Sequence, residues 1–284
     1  MNTLKYIIIP DVHGRTFWRD VVTKYLNEDV TFIFLGDYLD SYGYENIKDK
    51  DAYQGLLDII EYKKQHPNKF ILLLGNHDLH YLTDTCRGSR WDLVHSKRNA
   101  AVFKDNAALF QITYSDEING KKFFFSHAGI TKGWIYNNHK VFDIHVPDEF
   151  EDFEINDWTE LPEFNRMLWS YNDQEKFFDT LGDVSFYRGG SKSSGSIVWA
   201  DYHEHLKPAQ QFPGIIQVFG HTQQEKDPIN IDNKAYCLDC RRAFCIDTDG
   251  NLLELDGSEL PVFDTEGELK AEQKRLERLA AFFL

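Results

Sequence analysis

Five short blocks of this 284-residue chain hold the side chains that could do chemistry. They are Asp11-Val12-His13-Gly14, Gly36-Asp37-Tyr38-Leu39-Asp40, Gly75-Asn76-His77-Asp78, Ser126-His127-Ala128-Gly129 and Gly220-His221-Thr222. Each offers Asp, Asn or His beside a glycine. Oxygen donors and imidazoles without a thiolate suit Mn, Fe or Zn better than a zinc–thiolate site or an all-oxygen calcium site. One such block is ordinary punctuation between a strand and a loop. Five of them require a common cause.

The elements before the blocks supply one. Apolar runs at Tyr6–Pro10, Phe32–Leu35 and Phe70–Leu74 lead into the first three, and strands expected at Lys122–Ser126 and Ile215–Phe219 lead into the last two. Consecutive apolar positions over so short a length fit a strand covered on both faces. Phe17, Val21, Val22 and Tyr25 recur at helical spacing, as do Leu56, Leu57 and Ile60 with Ala52 and Tyr53, before Gln65-His66-Pro67-Asn68 breaks the pattern. The first third thus reads strand–helix–strand–helix–strand. Ligands bind just outside the carboxyl ends of such strands, and glycine lets backbone approach closely there.

Shorter strands are expected around Ala235–Leu238, Ala243–Asp247 and Leu252–Leu255, with Thr248-Asp249-Gly250-Asn251 as a hairpin turn. An amphipathic helix is expected over about 266–284, striped by Leu269, Leu276, Leu279 and Phe283. The stretch 134–207 is rich in aromatics, acidic around Glu149–Glu163, and carries Gly189-Gly190-Ser191-Lys192-Ser193-Ser194-Gly195. It reads as an elaboration that brings loops over the site of a single domain, 1–284.

Composition narrows the partners. Lys plus Arg number 31 against 46 Asp plus Glu, a net charge of −15 that disfavours nucleic acid and anionic lipid. The 42% hydrophobic and 15% aromatic content is that of a globular protein. No apolar run is long enough to span a bilayer, the N-terminus lacks the apolar core of a signal peptide, and four cysteines make no disulfide framework. A cytoplasmic location is expected. Cys237-x-x-Cys240 with Cys245 and Cys86 has some zinc-like spacing, but buried thiols in neighbouring strands of a hairpin are the expected reading. Asp201, His203 and His205 alternate and read as loop residues rather than a further metal site.

Taken in order, the five blocks resemble the calcineurin-like metallophosphoesterases over roughly Ile7 to Thr222: Asp-x-His, Gly-Asp-x-x-Asp, Gly-Asn-His-Asp, a lone His before Ala-Gly, and Gly-His-Thr. The resemblance implies an α/β fold with a central β-sandwich flanked by helices and two divalent metal ions (Mn, Fe or Zn) at its edge. It implies Asp11 and His13 on the first ion, Asp37 bridging both, and Asn76, His127 and His221 on the second. Gln223 stands where many members carry another histidine, an absence typical of the Ser/Thr protein phosphatases and the symmetrical dinucleoside-tetraphosphatases. The ions would give an acidic protein a place for phosphate. The expected reaction is in-line attack on phosphorus by a hydroxide bridging the two ions, with His77 protonating the leaving oxygen and Asp40 orienting His77.

The substrate is read less directly. Gly36–Asp40 is similar to the protein-phosphatase block, including its second Asp. Gly75–Leu82 and Ser126–Ile130 followed by Trp134 are similar to the dinucleoside-tetraphosphatases. Ser41 replaces the arginine with which protein phosphatases hold the phosphate, so another cation should do so: Arg188 first, beside the Trp-x-Asp-like Gly195–Asp201, then Arg15 and Arg90. The expectation is a phosphomonoesterase of Ser/Thr protein phosphatase type acting on phosphorylated proteins. Hydrolysis of dinucleoside polyphosphates or another small nucleotide is the alternative, with a non-catalytic metal-binding scaffold behind it.

Overall fold

The computed structural model describes residues 3–86, 88–170 and 172–255. The helix expected at 266–284 lies outside them. The chain begins β1 (Leu4–Ile9), α1 (Phe17–Tyr25), β2 (Thr31–Phe34), α2 (Asp49–Gln65), β3 (Phe70–Leu73), α3 (Asn76–Leu79) and α4 (Ser96–Asp105). It continues β4 (Phe110–Gln111), β5 (Thr113–Ile118), β6 (Lys121–Ser126), α5 (Lys132–Asn137), α6 (His139–Phe142), α7 (Phe164–Trp169), α8 (Gln174–Leu181) and α9 (Tyr202–His205). Five strands close it: β7 (Ile216–Phe219), β8 (Ile229–Ile231), β9 (Ala235–Cys237), β10 (Phe244–Asp247) and β11 (Leu252–Glu254).

The strands form two sheets. One runs in the order β11-β10-β1-β2-β3-β4 and the other β5-β6-β7-β9-β8. β1, β2 and β3 are mutually parallel, joined through α1 and α2 as the alternating pattern predicts. β6 and β7 are also parallel. The period of two explains why β1 is apolar at every position from Tyr6 to Ile9. Tyr6 and Ile8 face the second sheet, where Phe123, Phe125 and Val218 meet them. Ile7 and Ile9 face the other way, into a core with Trp18, Val21 and Leu56 of the helices. β2 divides likewise, with Ile33 between the sheets and Phe32 and Phe34 under the helices.

The second sheet has its own cover. Phe124 points away from the inter-sheet core and joins Trp134, Phe164 and Phe177, all buried on α5, α7 and α8. The architecture is therefore helix, sheet, sheet, helix: the expected β-sandwich flanked by helices. Among the described residues, no helix is long and apolar enough to cross a membrane.

The cysteines depart from expectation. Cys237 lies in β9 of the second sheet and Cys245 in β10 of the first, so they are not neighbours in one hairpin. All four thiols are free and buried, and burial pushes those of Cys237, Cys240 and Cys86 up, away from the thiolate a metal needs.

Candidate metal centre

The parallel strands end together. Asp11 and His13 follow β1, Asp37 and Asp40 follow β2, Asn76 and His77 open α3 after β3, His127 follows β6 and His221 follows β7. The first three strands belong to one sheet and the last two to the other, so the site sits across the edge of the sandwich. His13, Asp37, Asp40 and His221 all take left-handed backbone, with φ of 45°, 53°, 57° and 66°. Such conformations cost a non-glycine residue about 1–2 kcal/mol and persist where surrounding structure enforces them. Gly75 and Gly220 are needed for a different reason, close approach. A Cβ would lie 2.1 Å from Asp37 Oδ1 at Gly75 and 2.0 Å from Asp11 Oδ2 at Gly220.

The six expected ligands are all buried, and two groups of three converge on Asp37: Asp11, His13 and Asp37, and Asp37, His127 and His221. Proton bookkeeping defines what these groups can hold. His13 Nδ1 donates to Leu39 O at 2.9 Å and His127 Nδ1 donates to Leu35 O at 2.8 Å. In its neutral form each ring therefore turns a bare Nε2 inward. Asp37 Oδ2 stands 3.4 Å from one Nε2 and 3.5 Å from the other. Asn76 Oδ1 lies 3.0 Å from His127 Nε2 and 3.0 Å from His221 Nδ1. His221 Nδ1 is also 3.1 Å from His127 Nε2 and can donate to only one of these two neighbours, while its buried Nε2 has no partner among the described residues. The acceptor lone pairs of Asp37 Oδ2, Asn76 Oδ1 and the inward ring nitrogens outnumber the protons between them, an arrangement that a cation satisfies.

Second contacts hold the donors in place. The His221 amide donates to both oxygens of Asp11, at 3.1 and 3.0 Å, and the His77 amide donates to Asp37 Oδ1 at 2.9 Å. Burial, with Asp239 and Asp37 nearby, raises the Asp11 carboxyl well above its ordinary range. Burial likewise lowers His13, helped by the Arg90 charge, and lowers His221, helped by Arg188. The cluster as it stands resists both full ionisation and full protonation, which suits residues that share positive ions.

His77 points away from these lone pairs. Its Nδ1 is 3.0 Å from Asp40 Oδ2, and its Nε2 accepts from Arg90 Nη2 at 2.9 Å. Asp40 also receives the Tyr81 hydroxyl and stands 2.6 Å from His80 Nε2. Burial pushes the Asp40 carboxyl up, but the hydrogen bonds from His77 and His80 outweigh it and hold it below the ordinary value. Burial lowers His77 while Asp37 and Asp40 oppose it, leaving the ring a readier proton donor than a free imidazolium.

The expected substrate arginines differ in surroundings. Arg15 is buried; its Nε donates to Glu45 at 2.8 Å and its Nη1 to the Asp11 carbonyl at 3.1 Å. Arg188 is partly exposed and lies 3.4 Å from Asp201 Oδ2. Asp201 caps α9, and His205 is buried with Nε2 donating to the Ala128 carbonyl at 3.1 Å. Trp199 sets the edge of its ring against His221, with centroids 5.6 Å apart, so the 195–201 segment does reach the site.

Asp78 had only its place in the third block to mark it. Its carboxylate accepts from the amides of Asp37, Tyr38 and Gly75 at 2.8, 3.0 and 2.8 Å, tying two ligand loops together. Tyr42 and Asp239 carry no signal in the sequence beyond their residue types, yet Tyr42 packs on His13 at 5.0 Å and Asp239 is buried beside the acidic ligands.

The chain is 24% identical over 188 residues to the Ser/Thr-protein phosphatase 4 catalytic subunit of Kluyveromyces lactis, an alignment covering 61% of this chain and 58% of that one. This chain therefore spans less than two thirds of that relative's length. A Ser/Thr phosphatase structure from Saccharomyces cerevisiae superposes with a TM-score of 0.47 at 15% identity, over 92% of this chain and 82% of the other. A cold-active protein tyrosine phosphatase gives 0.46 at 15% identity, over 89% and 79%. The sequence model of the calcineurin-like phosphoesterase family matches residues 4–225, a span that begins with β1 and ends just beyond His221. That match covers well over half of the chain and takes in all five candidate ligand loops, and the chain belongs to the calcineurin-like phosphoesterase family.

Proposed function

We propose that this chain hydrolyses phosphomonoesters with two divalent metal ions, and that its substrates are proteins phosphorylated on serine or threonine. The observation that carries the reading is Asp37 Oδ2, placed between two imidazole nitrogens whose rings each give their other N–H to a backbone carbonyl. Asp11, His13 and Asp37 would hold one ion; Asp37, Asn76, His127 and His221 would hold the other. When bound, such ions acidify water and supply positive charge to phosphoryl oxygens.

The chain's own residues supply the remainder. His77 Nε2, which here accepts from Arg90, is the atom that would hold and hand over a proton to the leaving oxygen once a phosphoryl group takes up the guanidinium. Asp40 takes the hydrogen bond from Nδ1, fixes the ring and favours its charged form, while burial keeps the Nε2 proton transferable. His80 and Tyr81 keep Asp40 in place. The retained Asp40 and the Ser/Thr-protein phosphatase relative favour a phosphoprotein over a dinucleotide.

The test is a substrate panel on Mn²⁺-loaded protein: phosphoserine and phosphothreonine peptides, p-nitrophenyl phosphate, and diadenosine tetraphosphate, with Asp37→Asn as the blank. Phosphate release from the peptides is expected. His77→Asn should slow that release by about 10²–10⁴-fold with metal content unchanged. Cleavage of diadenosine tetraphosphate with the peptides intact would instead assign a dinucleotide substrate. A metal-loaded protein inert toward the whole panel would refute hydrolysis and leave a scaffold.

A further inference from the structure

Four arginines approach the site, and one differs from the rest. Arg15 is paired with Glu45, Arg188 with Asp201, and Arg241 lies 3.7 Å from Glu45. Among the described residues, no carboxylate pairs with Arg90. Its Nη2 meets His77 Nε2 at 2.9 Å and lies 3.5 Å from His13 Nε2, and its Nε and Nη1 are buried with no partner. Among the described residues, three buried guanidinium N–H donors are thus left without an acceptor. That is costly unless a ligand answers them.

The arm that carries this residue is built in. On one side, a Cβ on Gly88 would already lie 3.0 Å from the Trp199 ring. On the other, the Asp92 amide donates to the Tyr81 hydroxyl at 3.1 Å, and that hydroxyl donates to Asp40. Between them, Arg90 holds φ at 62°, a conformation arginine rarely adopts. Its guanidinium carbon stands 3.6 Å above the centre of the Tyr42 ring, which itself packs edge-on to His13. The aromatic face fixes the plane of the fork without neutralising its charge.

We propose that Arg90, on its Tyr42 shelf, is the cation that grips the phosphoryl oxygens of the substrate. The assignment deepens the phosphomonoesterase reading above and rests on it. Both nitrogens that Arg90 touches have tasks in that reading: His13 Nε2 toward an ion, His77 Nε2 toward the leaving oxygen. A phosphoryl group that reaches both lies against the guanidinium, whose planar fork suits two oxygens of a phosphate. Ser41 cannot act in its place, because its hydroxyl is neutral and donates to the Ile47 carbonyl at 3.2 Å.

The experiment compares metal-loaded wild type with Arg90→Gly and Arg90→Lys. Glycine keeps the left-handed backbone without strain, so Arg90→Gly should melt no lower than wild type. Metal content should be unchanged. Inorganic phosphate, titrated calorimetrically, should bind about ten- to a hundredfold more weakly to Arg90→Gly, and KM for p-nitrophenyl phosphate should rise in parallel. Arg90→Lys should recover part of the loss. Phosphate affinity within twofold of wild type in Arg90→Gly, with metal present and wild type active, overturns the role of Arg90 alone. A metal-loaded wild type that neither turns over a phosphoester nor binds phosphate overturns the reading beneath it.

Discussion

Histidines 77 and 205 show how surroundings decide what one residue type does. His77 has a carboxylate at one nitrogen and a reachable second nitrogen, the two contacts that an acid needs. His205 is as deeply buried, but its one hydrogen bond is to the Ala128 carbonyl, and burial pushes its pKa down to about 4 from an ordinary 6.5. Between those two values the unfolded chain binds a proton there and the folded chain does not. Stability therefore rises with pH across that window and falls as pH drops below about 6.5. Between pH 7.5 and pH 5 this residue should cost the fold about 2 kcal/mol, a loss that His205→Gln should not suffer. Urea titrations of metal-loaded wild type and variant at the two pH values check this; equal losses in both proteins would show that His205 does not titrate as its burial requires. The alternation of Asp201, His203 and His205 gave no hint of this difference, because it depends on the capped turn of α9 and on the Phe219 ring against His205.

At the scale of the element, the ligand-bearing strands were readable and their neighbours were not. β1, β2, β3 and β6 each carry at least three consecutive apolar residues because both of their faces are covered, and that pattern survives in one dimension, while β7 keeps it except at Gln217. β5, Thr-Tyr-Ser-Asp-Glu-Ile, sits at a sheet edge with four of its six residues partly or fully exposed, and β4 and β8 are two and three residues long. None offers a period to read. Nor does local pattern say which sheet a strand joins, which is why β9 and β10 look like a hairpin and belong to different sheets. Arg90 lies in a polar stretch with no period at all, and only the folded arm gives it neighbours. The glycines beside the ligands were visible, and packing shows what they do. In Gly220→Ala the new methyl would meet Asp11 Oδ2 with the β7 loop unable to withdraw, since the next amide is bonded to the same carboxylate. We expect it to keep a wild-type far-ultraviolet circular dichroism spectrum while losing most of its bound metal, measured by elemental analysis after gel filtration. Full metal occupancy in this variant would mean that Asp11 is not held where the structure places it.

Over the whole molecule, the site joins the two sheets while straining the junction. The candidate ligands after β1, β2 and β3 meet those after β6 and β7 at one edge of the sandwich, so an ion bound there would cross-link two layers that otherwise touch through side chains of the inter-sheet core. Without the ion, the same edge concentrates negative charge. Asp37 is among the groups that push up the carboxyls of Asp11, Asp78 and Asp239, each of which is raised first by its own burial. Removing the charge but keeping the shape should therefore act in opposite directions in the two states. In Asp37→Asn the amide oxygen can still accept from the His77 amide, and the amide nitrogen can donate to the bare Nε2 of His13 or His127. In EDTA this variant should be more stable than wild type by about 1–3 kcal/mol, because a buried charge is gone and a lone pair has gained a donor. In saturating Mn²⁺ the order should reverse, since an ion at 1,000 times its Kd adds about 4 kcal/mol to wild type and much less to a variant that has lost the shared ligand. Urea denaturation in the two buffers measures both differences. If Asp37→Asn were the less stable protein in EDTA, or gained as much from Mn²⁺ as wild type, Asp37 would be a structural carboxylate and not the residue on which the two groups of ligands meet.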